Sequence, residues 1–180
     1  MNYSKYLLAT ALSLTMISGA SAQADPAASQ VVPVSPDNFV RAETDMYFGS
    51  FVRDGALGKF SHTREPASID HQTVIRLNRD TLYSFATFDL DAGPVTVTLP
   101  DAGKRFWSVQ VVDQDQYTPR VIYEPGTHRF TRQEIGTRYM ALLMRILVDP
   151  TSAEDVKAVH ALQDKVTVQQ AGPGKFEVPK

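Results

Sequence analysis

From about His71 onward the apolar residues recur at every second position, and no other feature constrains the fold more. The segments "TVIRL", "LYSFATFDL", "VTVTL", "RFWSVQVVD", "RVIYE", "HRFT" and "YMALLMRILV" are short and rich in β-branched and aromatic residues. Such residues suit a pleated, half-buried surface. Between them, "DAGP", "PDAGK" and "EPGTH" put Gly and Pro where tight turns need them. Val95, Val97 and Leu99 alternate with Thr96 and Thr98, the pattern of a sheet with one wet face. About seven such strands in one run predict a mainly β domain built as an antiparallel β-sandwich.

Two helices are expected to flank the strands. Ser35 fits an N-cap with Pro36 at the first helical position, where no backbone N–H is needed. Phe39, Val40, Met46, Tyr47 and Phe51 then recur on one face until Asp54-Gly55 supplies a stop. After the last strand, "TSAE" sets Thr151 and Glu154 at capping-box spacing, and Val156, Val159, His160 and Leu162 can face the sheet. The expected organisation is one domain over residues 35–168, after a flexible leader at 23–34 and before an irregular tail at 169–180.

Residues 1–22 read as a signal peptide rather than as part of the fold. Lys5 precedes the apolar run "YLLATALSLTMIS", and Ala20 and Ala22 fit the −3 and −1 positions of a cleavage site before Gln23. The expected location is periplasmic or secreted, with no membrane span after cleavage. Cysteine is absent, which removes disulfide frameworks and thiolate chemistry. The net charge is −2 with both signs interspersed, so no basic patch exists for nucleic acid.

Candidate chemistry is sparse. Ser84 and Ser50 lack the flanking glycines of a nucleophile elbow, and Ser84 is expected to have no neighbouring base. The four histidines, His62, His71, His128 and His160, form no H-x-x-x-H pair, and Asp113 and Asp115 lack the glycine and distal glutamate of a calcium loop. No metal site is therefore assigned, and no cofactor is readable. Among Asp80, Asp89, Asp113 and Asp115 the sequence prefers no acid/base pair.

Arg145, inside "ALLMRILV", is the more informative residue. Two readings stand: a wet-face position whose long stem snorkels, or an inward guanidinium paired with Asp80 or Asp113. By parity Trp107 joins Val109 and Val111 in the core, whereas Gln110 shares a mixed face with Phe106, Ser108 and Val112. The cluster Asn78, Arg79, Asp80 and Thr81 opens a strand, and Asp80 and Thr81 are expected to satisfy its first backbone donors.

The segments "NRDTLYS", "FDLDAGPVTVTLPDAGKRFWSVQVVDQDQY" and "RILVD…DVKAVHALQD" resemble the family called domain of unknown function 1254, over roughly His71 to Asp164. The resemblance implies an immunoglobulin-like β-sandwich, often followed by a second β domain, domain of unknown function 1214. This chain then corresponds to a short, exported member without that second domain. The family's recurrent polar positions correspond here to Asn78, Asp80, Thr81, Tyr83, Gln110, Asp113 and Arg145, which become the ligand-binding candidates. Arg79 stands where the family often has a small or amide residue. The leading expectation is an exported binding or accessory module with a small polar pocket for a small-molecule ligand. A carboxylate- or metal-using hydrolase, suggested by the carboxylesterase label some relatives carry, and an envelope protein-interaction module are the alternatives.

Overall fold

A computed structural model of the chain describes residues 31–71 and 74–179. The expected signal segment, its cleavage site and most of the leader lie outside these residues. In chain order come α1 (Phe39–Arg53), β1 (Ser61–His62), β2 (Thr81–Asp89), a single 3-10 turn (Leu90–Ala92), β3 (Val95–Leu99) and β4 (Trp107–Asp113). They are followed by β5 (Arg120–Ile122), β6 (Gly126–Phe130), α2 (Arg132–Ile135), β7 (Tyr139–Leu147), α3 (Ala153–Gln163) and β8 (Thr167–Gln169).

The described strands number eight rather than about seven, in a five-stranded sheet β1-β2-β7-β4-β5 and a three-stranded sheet β6-β3-β8. All neighbouring strands run antiparallel. Strand parity divides the larger sheet as the sequence predicts. Leu82, Phe88, Trp107, Val109, Val111, Leu142 and Met144 pack with Val95, Val97, Leu99 and Phe130 of the smaller sheet in one shared core. On the opposite, outer face, α1 covers one end. Phe48 there joins Tyr139 and Ala141, with Phe51, Phe176 and Val178 against them. The other end of the outer face, around Arg145 and Leu147, is exposed.

Several local expectations differ. Helix α1 starts at Phe39, because Asn38 accepts the Ser35 N–H at 2.7 Å and closes a turn over the residues expected to begin the helix. The closing helix is capped one residue later than expected: Ser152 accepts from the Asp155 N–H at 3.2 Å. Thr151 instead donates its hydroxyl to Asp149 at 2.7 Å. Of "TVIRL", residues 74–76 form a bend and turn, with Ile75 92% exposed and Arg76 at φ 57°. The strand edge they might have joined is taken by β1, which pairs with Ser84 and Phe85. The short helix α2 was not expected, although "TRQE" carries its capping box: Thr131 and Glu134 bond each other's backbone N–H.

Beyond β8 the described residues form no helix or strand, yet they are anchored by Asp89. That carboxylate is nearly sealed and accepts from Arg138 Nη2 at 2.9 Å, Arg138 Nε at 3.0 Å and the Lys175 N–H at 3.1 Å. Gly174 has φ 70°, and a Cβ there would lie 2.5 Å from Asp89 Cβ, so the close approach needs glycine. Burial pushes the Asp89 carboxyl upward. The Arg138 bonds and the Lys175 and Asp91 amides outweigh it and hold the group below the usual carboxylate range.

Candidate functional site

The open end of the outer face is built by register. Tyr83 on β2 stands opposite Arg145 on β7, and Arg145 stands opposite Ser108 on β4. Side chains on neighbouring strands at paired positions share a face, so the three form one row across the sheet. The Arg145 guanidinium carbon lies 5.0 Å from the centre of the Tyr83 ring. Ser108 is small and leaves room beside the guanidinium. Beyond it the half-exposed rings of Phe106 and Tyr123 tilt together with centroids 6.4 Å apart.

Asn78 organises one border of this surface. Its Nδ2 donates to Tyr83 Oη at 2.9 Å and to Thr81 Oγ1 at 3.0 Å, while its Oδ1 accepts the Asp80 N–H at 2.8 Å. On the other border Gln110 donates to Thr118 Oγ1 at 2.9 Å. Asn78, Thr81, Tyr83, Gln110 and Arg145 therefore gather on or beside one face.

Asp80 and Asp113 do not join them as partners. Among the described residues Arg145 forms no ion pair, and it is exposed. The inward Arg145–carboxylate pair is thus overturned, and the wet-face reading stands. Asp113 pairs with Met140, far along β4 from Ser108, and accepts the N–H groups of Asp115 and Tyr117 at 2.8 and 2.9 Å. It closes the β4–β5 turn. Asp80 is exposed, and its carbonyl accepts the Val148 N–H at 2.9 Å. The Asp80 N–H, just ahead of β2, is satisfied by Asn78, and among the described residues neither the Asp80 nor the Thr81 side chain accepts a backbone N–H. Arg79 donates to the Ala67 carbonyl and ties down the preceding loop.

A second polar cluster was missed in the sequence. Ser84 Oγ lies 2.7 Å from His62 Nδ1 and accepts from Gln163 Nε2 at 3.2 Å. A base does therefore neighbour Ser84, contrary to expectation. The two-residue strand β1 brings it there, too short to announce itself by periodicity. Ser84 has 0% exposure, however, so no substrate atom can approach its oxygen in this conformation. Burial, then the nearby Arg64 charge, lowers the His62 pKa and favours the neutral ring. Among the described residues no three of His, Asp and Glu gather closely enough to hold a metal ion.

A third missed feature joins α1 to the larger sheet. Gln114 Nε2 donates to Asp45 Oδ1 at 2.7 Å, and Gln114 Oε1 accepts the Tyr139 N–H at 3.1 Å. The sequence offered no signal for it beyond an acid on a helix whose apolar face packs on the sheet.

Comparison with protein families finds a match between residues 57–127 and the model of a protein of unknown function, DUF1254. The family resemblance seen in the sequence is shown over that segment, which begins earlier and ends earlier than the quoted motifs suggest. Among solved structures the chain is similar to the VPA0106 protein from Vibrio parahaemolyticus, with a TM-score of 0.56 and 19% identity. The likeness covers 73% of this chain and 35% of that protein, so the chain spans about a third of its length. At this identity the likeness is one of fold. No curated protein matches.

Proposed function

We propose, for a chain whose residues 57–127 match the DUF1254 family model, that it is an exported small-ligand-binding module using the open outer face of its larger sheet. The observation that carries this reading is the convergence of Asn78 and Tyr83 with Arg145, more than sixty residues later in the sequence, onto one open surface. A guanidinium with its fork facing water beside exposed aromatic rings suits a planar ligand bearing a carboxylate or phosphate group. Tyr83 holds Arg145 from below, and Asn78 fixes the Tyr83 hydroxyl, so the arginine is pre-positioned. Asp80 and Asp113 have no place in this ligand contact.

Two stacked sheets with one core support the immunoglobulin-like reading of the sandwich. Export rests on the basic start, apolar run and small-residue cleavage site of residues 1–22. No helix of the described residues is long and apolar enough to cross a membrane. Intact mass of the secreted chain tests this part: it should begin at Gln23, and retention of residues 1–22 would overturn it. The hydrolase reading is not favoured, because the Ser84 oxygen beside His62 is fully buried and bonded by Gln163 of α3. Binding is tested by thermal-shift screening of aromatic acids against their neutral alcohols. Acids should raise the melting temperature of the wild type and leave Arg145→Gln unmoved. A screen without that charge preference contradicts the reading.

A further inference from the structure

A second site lies at the opposite end of the outer face, between α1, the residues before it and the C-terminal tail. A groove of about 980 Å³ runs there, at the upper end of the range for small-molecule sites. Val32, Val34, Phe39, Met46, Phe176 and Val178 supply apolar walls. Phe39 and Met46 are more than half exposed, which is costly for side chains of this kind unless something covers them.

One polar group interrupts this lining. Asp45 is 8% exposed and borders the groove. Its Oδ1 is engaged by Gln114, while Oδ2 takes no hydrogen bond from the described residues. The sealed side-chain atoms left without a partner among those residues are Thr87 Oγ1 and Gln170 Oε1. Asp45 Oδ2 is not one of them, so it opens onto the groove. Oδ2 therefore offers an acceptor to the groove on a residue that is otherwise buried, open to a donor from a ligand in competition with water.

The surrounding charges decide what kind of donor fits. Arg41 and Arg53 line the groove against Glu43, Asp45 and Glu177, so carboxylates outnumber cations by three to two. Arg41 is moreover held by Asp115 on the β4–β5 turn, and Glu177 lies within ion-pair reach of Arg138 and Lys175, which leaves Glu43 and Asp45 against Arg53. The local balance is negative around Asp45, beside a long apolar wall.

From the groove-facing oxygen, the apolar walls and this charge balance, we infer that the groove binds a cationic amphiphile: a protonated amine that donates to Asp45 Oδ2, carrying a hydrocarbon body along Phe39, Met46 and Phe176. Burial raises the Asp45 carboxyl above its ordinary range, as expected for an anion short of partners, and a bound ammonium group would oppose that shift. This site is separate from the Arg145 face, prefers the opposite ligand charge, and stands or falls independently of it.

Isothermal titration with octylammonium, octanol and octanoate tests the inference. Octylammonium should bind at least about tenfold more tightly than octanol, the ratio expected of one charge-assisted hydrogen bond, and octanoate most weakly. In Asp45→Asn, which keeps an acceptor for Gln114, the amine should lose that advantage while octanol binding persists. In Ala42→Trp, which fills the groove from α1, all three should lose binding. The Arg145→Gln variant should leave the series unchanged. Absence of octylammonium binding, equal binding of amine and carboxylate, or an amine preference that survives either groove substitution overturns the inference. Should Asp45→Asn fail to fold, the ligand comparison on the wild type and Ala42→Trp still decides it.

Discussion

The guanidinium of Arg145 lies over the ring of Tyr83, 5.0 Å from its centre, on directly paired positions of β7 and β2. A cation over an aromatic face is held by the ring quadrupole and retains its hydrogen-bond donors for another partner. The apolar run around Arg145 is thus explained by parity: its neighbours Met144 and Ile146 face the core, and Arg145 faces outward.

Arg145→Met should accordingly cost only about 0.5–1 kcal/mol in urea unfolding, the worth of an exposed cation–π contact. A double-mutant cycle with Asp80→Asn should give coupling near zero, whereas one with Tyr83→Leu should not. A loss of several kcal/mol for Arg145→Met, the signature of a broken buried pair, is the contrary result.

Ser84→Ala should destabilise by about 1 kcal/mol, because it removes the hydrogen-bond partner of the His62 ring, while Gln163 Nε2 keeps the Thr63 and Tyr83 carbonyls. The His62 pKa is lowered in the fold, so the unfolded chain binds more protons between that lowered value and 6.5. The stabilisation from neutral His62 is complete above 6.5 and is lost as the pH falls through this window. A stability profile that stays flat there, and is unchanged by His62→Gln, is not compatible with this arrangement.

Asp89→Ala should cost roughly 2–4 kcal/mol, somewhat below the full penalty of breaking a buried pair because Arg138 keeps about a third of its side chain in water. Hydrogen exchange should show residues 170–178 released at the same time. The Asp89 carboxyl is held below 3.8, so its contribution is present above that value and disappears as the pH falls through the folded pKa. Gly174→Ala should loosen the same tail, through the clash with Asp89 and the strain of a left-handed backbone.

Asp45→Asn should raise the melting temperature near neutral pH. Burial raises the folded pKa of Asp45 above 3.8, so folding becomes less favourable as the pH climbs through that interval. The advantage of Asn over Asp should shrink as the pH drops through 3.8. Equal stabilisation at all pH values would point to packing instead.

The strands, their faces and the placing of Trp107 and Gln110 were legible because period-two alternation records burial directly. Parity also placed Gln110 and the apolar run singled out Arg145, whereas Tyr83 was named only through the family resemblance; only the register revealed that Tyr83, Arg145 and Ser108 share a row. What the sequence hid was set by contacts without periodicity. β1 is two residues long, and β8 is three. The partner of Ser84 comes from 22 residues away and that of Asp89 from 49. Val74 and Ile75 looked like strand residues, yet β-propensity has no force where β1 already occupies the edge of β2.

The central claim is that the row through Tyr83, Arg145 and Ser108 is a ligand surface, and amide chemical-shift mapping of the chain tests it most directly. Titration with benzoate should perturb residues 81–85, 106–110 and 143–147 together, with benzyl alcohol much weaker. The benzoate effect should vanish in Arg145→Gln while the rest of the spectrum stays in place. Perturbations that fall elsewhere, or that persist undiminished without Arg145, would contradict the claim.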